Sequence, residues 1–127
     1  TGTFVTQYSF IHIDNIPMVL SESDLFIFAS SCENMPVTLI EGMASGLPIA
    51  CSDRGPMPEV LGNGGVYFNP ENPQSIANAI KMIIDNKDLR LKGIKVSKQI
   101  SNKYLWKVNS EKTFQFLTET IKKHKQN

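Results

Sequence analysis

Between Asp24 and Cys51 the chain passes through one strand, one helix and a second strand in an order that leaves little choice of fold. Asp24 to Ala29 is a run of apolar side chains with no alternation, which suits a strand covered on both faces. A loop of small polar residues, Ser30 to Asn34, ends it. Pro36 then reads as the first helical position, where a missing N–H is harmless. The helix is predicted to run to about Ser45. Gly46 stops it in a left-handed conformation, and Leu47 to Cys51 forms the next strand. Two strands joined by a helix in this way argue a parallel sheet.

The pattern continues downstream. Ser52 to Pro58 is a Gly/Pro-rich loop, with a short turn to Leu61. Gly65 to Phe68 is a short strand. Asn72-Pro73 reads as a cap followed by Pro in the first turn. Ile76, Ile80, Ile83 and Ile84 recur at helical spacing up to about Asn86. A basic helix spans roughly Leu89 to Ser101, and Trp106, Phe114, Leu117 and Ile121 stripe a last one. Upstream, Ile16 to Ser21 is a helical turn and Phe10 to Ile13 a weak strand candidate. The order predicts an α/β fold, a Rossmann-like parallel sheet with flanking helices. The 127 residues suit a single domain, with a core over about 8–86 and C-terminal helices over about 88–125. Only about four strands are visible, against five or six in a doubly wound domain. The sheet is therefore expected to lack its first strand or strands and to expose an edge open to self-association. A start at Thr1 without Met reads as a piece of a longer protein.

Charge is divided. Residues 1–80 hold one basic residue, Arg54, against eight acids, a net −7; residues 81–127 hold twelve against four, a net +8. Two readings fit the basic half: a solvated face, or contact with a partner domain or an anionic membrane surface. No apolar run is long enough to span a bilayer, and no signal-peptide pattern opens the chain. Two cysteines, Cys32 and Cys51, without Cys-x-x-Cys and far from His12 and His124, argue against zinc and against a disulfide framework. Reduced thiols point to the cytoplasm.

The informative stretch is Ser30 to Glu41, where a parallel strand ends and a helix begins. Open α/β sheets bind ligands at this carboxyl edge. The N–H groups of Asn34, Met35, Val37 and Thr38 precede the first helical bonds and, with the helix dipole, suit a phosphate. Glu33 lies before the helix and Glu41 about 7.5 Å along it. Helical side chains lean toward the N-terminus, so Glu41 reaches toward the same place. Carboxylates accept from sugar hydroxyls. A ligand with phosphates in the middle and a sugar at each end fits, namely a nucleotide diphosphate sugar. Plainer roles also fit: Glu41 as a solvated helix residue, and Glu33 as an acid favouring a helix start.

These residues resemble the GT-B fold retaining glycosyltransferases of the large group-1 (family 4) class. Glu33 and Glu41 match its Glu-x7-Glu motif. The run SDLFIFASSCENMPVTLIEGMASGLPIACSDRGPMPE follows that family's order strongly over about residues 17–85, and Tyr104-x-Trp106 more weakly. The resemblance implies the C-terminal, donor-binding half of a hexosyltransferase, of the kind used in polysaccharide biosynthesis. It implies that Glu33 contacts the donor sugar, as the catalytic-region residue. Glu41 would bind the nucleotide's ribose, and the backbone of Asn34, Met35, Pro36, Val37 and Thr38 would face the diphosphate and sugar. Glu59 matches the family's Pro-Glu step, with a structural role. Gly42 and Gly46 match positions of close helix–sheet packing and helix termination.

Two departures stand out. The family's usual Glu-Gly-Phe-Gly-Leu is here Glu33-Asn34-Met35-Pro36-Val37, with both glycines gone. The Gly-Arg and Lys that clamp the diphosphate in the family have no match within residues 1–80, nor does its catalytic-region His. The resemblance thus implies an inactive piece completed by an N-terminal acceptor domain. The last helix would pack toward that domain, or lean on lipid at the inner face of the membrane. No cofactor, metal or nucleic acid is expected. The alternatives are a non-catalytic nucleotide-sugar-binding or scaffold module, and a sugar-nucleotide epimerase on the same fold.

Overall fold

A computed structural model describes residues 4–125. A one-turn 3-10 helix, Ile13–Asn15, leads into α1 (Ile16–Ser21). Then follow β1 (Phe26–Phe28), α2 (Val37–Ser45), β2 (Ile49–Ser52), α3 (Met57–Leu61), β3 (Val66–Phe68), α4 (Pro73–Asp85), α5 (Lys87–Ser101), a 3-10 turn (Asn102–Tyr104) and α6 (Trp106–His124). The described strands form one parallel sheet in the order β1-β2-β3. Phe26 pairs with Ile49, and Ala50 with Val66.

β2 is central and wholly buried. Its side chains divide between the two faces, as strand geometry requires. Ile49 and Cys51 join Leu39 and Met43 of α2 and Met57, Val60 and Leu61 of α3. Ala50 points the other way, into a smaller cluster with Phe68 and with Ala79 and Ile83 of α4. The result is helix, sheet, helix. α5 packs across α2, and on α5 the small residues Ser97 and Ser101 are buried. A Cβ on Gly64 would stand 2.9 Å from Ser97.

The punctuation expected from sequence holds at two helix ends. Gly46 ends α2 at φ 81°, in the left-handed region. Asn72 caps α4, its side chain accepting from the N–H groups of Gln74 and Ser75. Gly42 also acts as expected. A Cβ there would lie 2.6–2.9 Å from the ring of Phe26, so its absence lets α2 sit down on β1.

Four expectations need correction. Phe10 to Ile13 is not a strand: a strand needs a ladder partner, and no described strand lies beside it. His12, read as a strand residue, caps the 3-10 turn instead, accepting from Asp14 N–H at 3.4 Å. Pro36 sits one place before α2, not in its first position. β1 is covered on one face only, because α4 lies under β2 and β3; Ile27 is 44% exposed. The apolar stripe of α4 is also incompletely buried, with Ile84 exposed; on α6, whose stripe was not expected to be buried within this chain, Trp106 is 89% exposed and Phe114, Leu117 and Ile121 are exposed.

At Gly65 a Cβ would approach the carbonyl oxygen of Ile49 to 2.6 Å. Backbone cannot yield as a side-chain tip can. Gly65→Ala is expected to destabilise the chain by about 1–3 kcal/mol, and Asn72→Ala, through the lost cap, by about 1 kcal/mol. Urea denaturation followed by circular dichroism measures both. A Gly65→Ala midpoint equal to that of the parent chain would contradict the close β2–β3 contact.

Candidate functional site

The carboxyl ends of β1, β2 and β3 each open into a loop, and these loops are tied to one another. Ser30 Oγ donates to the Cys32 carbonyl at 3.3 Å, tightening the turn after β1. The loop after β2 holds Gly55 at φ 50°, and a Cβ there would stand 3.8 Å from the carbonyl oxygen of Glu33. Arg54 joins that loop to the one after β3. Its Nη2 donates to Asn69 Oδ1 at 3.1 Å, and it faces Asp53 at 3.4 Å and Glu71 at 4.0 Å. These pairs are exposed, so each contributes about 0–1 kcal/mol. The one cation of residues 1–80 is thus already engaged.

The start of α2 has a specific local cause. Pro36, fully buried, takes φ −80° and ψ 75°. That is the inverse γ-turn conformation, and the Val37 N–H closes it by donating to the Met35 carbonyl at 2.9 Å. The Pro36 carbonyl then accepts from both Leu39 and Ile40. This corrects the expected donor set, because Val37 spends its N–H inside the turn. Among the described residues, the N–H groups of Asn34, Met35 and Thr38 have no backbone acceptor. Asn34, Met35, Val37 and Thr38 are exposed, while Glu33 and Glu41 are half-buried.

Glu41 faces α1. It lines a groove of about 400 Å³ with Ile13, Ile16, Pro17, Leu20 and Ala44. Glu33 does not line this groove; its loop lies against the Gly55 loop instead. Glu33 therefore lies ahead of α2, and Glu41 opens on the α1 side of its later half, beside Ala44 and Ser45; residues 34–38 do not line this groove. An acceptor carboxylate beside an apolar trough suits a ligand with both hydroxyls and a flat, poorly hydrated part. Sequence reasoning passed over Ile13, Ile16, Pro17 and Leu20. Their only signal was apolar spacing of three and four residues in a helix whose outward face is not buried. Glu59 is exposed in the first turn of α3. Among the described residues no cluster of three or more His, Cys, Asp or Glu is arranged to hold a metal ion.

Residues 4–100 match the family described as Glycosyl transferases group 1. The chain belongs to the group 1 glycosyl transferases. As a member of that family it is 23% identical over 104 residues to sulfoquinovosyl transferase SQD2 of Arabidopsis thaliana, covering 78% of this chain and 20% of that protein. Its fold matches Anabaena HepE, solved in complex with UDP, at a TM-score of 0.72 and 20% identity, over 82% of this chain and 30% of HepE. It also matches the C-terminal domain of the group 1 family protein LpcC from Francisella tularensis, at a TM-score of 0.68 and 26% identity, over 78% of this chain and 53% of that one. This group 1 chain thus has the α/β architecture of C-terminal GT-B domains. It spans about a fifth of the length of the first curated relatives it matches. Relatives of this group 1 chain are sugar transferases, and no described helix is long and apolar enough to cross a membrane.

The two thiols of this group 1 chain differ sharply. Cys32 is exposed beside Glu33, and Cys51 is buried in β2. Burial pushes the Cys51 thiol from its ordinary 9.0 up to about 12, and the Tyr67 hydroxyl, buried near it, from 10.0 to about 12. The thiolate is the reactive form. A thiol reagent at pH 8 is expected to label Cys32 promptly and Cys51 only on unfolding, read by mass spectrometry of the peptides. Both acids release protons more easily when unfolded, so the native state binds more protons in this range. Stability is therefore expected to fall as pH rises from about 9 toward 12. Denaturation midpoints that stay level through that range would refute this linkage.

Proposed function

We propose that this chain is the donor-binding unit of a retaining hexosyltransferase, taking a nucleotide diphosphate sugar across the start of α2. The observation that carries this reading is Glu41, half-buried and opening on the apolar groove between α1 and α2. The ribose hydroxyls donate to Glu41, and the base lies along Ile13, Ile16 and Pro17. The diphosphate sits at the helix start, where Asn34, Met35 and Thr38 offer N–H groups and the dipole favours negative charge. Pro36 and Val37 shape the turn there. Glu33 accepts from the transferred sugar. The match to HepE, which binds UDP in its crystal, supports a nucleotide as ligand.

When the bond from the anomeric carbon to the diphosphate breaks, negative charge grows on the leaving oxygen. Donors already aimed at that position stabilise it without reorganising. The acceptor hydroxyl attacks from the face the diphosphate leaves, which retains configuration. Arg54 is committed to Asp53, Asn69 and Glu71, so further cations come from elsewhere in the whole protein. The acceptor-binding domain closes over the donor, with the exposed stripe of α6 as its contact.

Titration of the chain with uridine, guanosine and adenosine diphosphate hexoses tests this by amide shifts in NMR. The expected shifts fall on Asn34 to Thr38 and on Ile13 to Leu20. Glu41→Gln keeps the shape but removes the charged acceptor. It is expected to weaken binding about ten- to a hundredfold. Shifts confined to other surfaces, or a Glu41→Gln affinity unchanged for the best donor, would overturn the assignment.

A further inference from the structure

The loops at the carboxyl edge of the sheet carry fixed negative charge. Asp53 stands on the loop that leaves β2, and Glu71 on the loop that leaves β3. The first of these loops runs on into Gly55, whose backbone lies against the Glu33 carbonyl: a Cβ there would be 3.8 Å from its oxygen. Both acids therefore belong to the rim that faces the start of α2. A diphosphate brings more charge of the same sign. Like charges near a protein surface repel more strongly than in bulk water, and salt screens that repulsion.

Arg54 answers both acids from a fixed position. Its Nε faces Asp53 at 3.4 Å, and its Nη2 faces Glu71 at 4.0 Å. The same Nη2 donates to Asn69 Oδ1 at 3.1 Å, and that oxygen also accepts from the Glu71 N–H at 3.0 Å. Asn69 is tied in turn to α4, its N–H donating to Ser75 Oγ at 3.0 Å. At the root of the side chain, the Arg54 N–H donates to Ser52 Oγ at 3.2 Å, and the Asp53 N–H donates to the Phe68 carbonyl at 2.9 Å. The guanidinium is thus held at root and tip. Pairs this exposed add little to stability. Their larger effect is on the local field, since one cation set between two carboxylates cuts the negative potential over the rim.

We infer that Arg54 is an electrostatic positioning residue for the donor. It contacts neither phosphate nor sugar. It neutralises Asp53 and Glu71, so that a diphosphate meets the N–H groups at the start of α2 without two uncompensated carboxylates beside them. The inference rests on the donor-binding reading above and deepens it.

NMR titration of the 127-residue chain tests this, with the nucleoside, the monophosphate and the diphosphate of uridine, guanosine and adenosine as probes at low and high salt. Arg54→Gln is expected to weaken binding of the best diphosphate about three- to tenfold at low salt, the monophosphate less and the nucleoside not at all. The loss shrinks at high salt, where screening replaces the missing cation. Adding Asp53→Asn and Glu71→Gln to Arg54→Gln is expected to restore diphosphate affinity. That rescue separates field from fold, because a loop merely loosened by losing Arg54 stays loose without the acids. Circular dichroism verifies that each variant folds. Diphosphate affinity unchanged in Arg54→Gln, a loss equal for nucleoside and diphosphate, or a loss that the triple variant keeps overturns the inference and leaves donor binding standing. A parent chain that binds none of the diphosphates removes the donor-binding reading, and this inference with it.

Discussion

The distance between α2 and the sheet governs the rest of the structure. Gly42 rests on the ring of Phe26, with no room for a Cβ. That contact seats the helix low enough for Leu39 and Met43 to bury fully against Ile49 and Cys51. It also places the start of the helix at the rim of the sheet rather than above it. α5 then lies across α2, and it meets the loop between α3 and β3 closely where Ser97 faces Gly64. A bulkier helix face would lift both layers together, since packed interiors transmit strain instead of absorbing it.

From that seat the candidate site follows. The helix begins where the Pro36 turn ends, and the turn consumes the N–H of Val37. What remains is a small set of donors, with half-buried Glu33 just before them and half-buried Glu41 farther along α2. The groove beside Glu41 exists because α1 packs against α2 through few residues, leaving Ile13, Ile16 and Pro17 partly uncovered. The loops after β2 and β3 hold the opposite flank through Arg54 and Asn69. Family membership and the GT-B match show the fold to which this edge of the sheet belongs.

Much of the fold was legible in the chain itself, where local chemistry leaves one solution. Gly46 after a helical run and Asn72-Pro73 before one act through their own backbone. The apolar runs at Phe26 and Ile49 declare strands because nothing polar interrupts them. Phe10 to Ile13 misled for the converse reason: strand composition is a capacity to pair, realised only when a neighbour is present. Pro36 was misplaced by one position, because a γ-turn and a first helical turn both accept its φ, and only ψ separates them. In the candidate site, spacing and resemblance single out Glu33 and Glu41, and the structure places one before α2 and the other within it. The groove residues were not legible, since an apolar side chain in a short helix looks the same whether a core or a cleft lies beside it.

By itself, the sequence determined the order of elements, the parallel sheet, the helix ends and the two acids, one before a helix and one within it. Each of these rests on interactions within a few residues or on a repeating pattern. Tertiary structure alone decided which side of that helix Glu41 faces and that Arg54 is engaged by Asn69 and its neighbouring acids. Those outcomes depend on which elements come to lie side by side, and contacts between residues far apart in the chain leave no local trace in either partner.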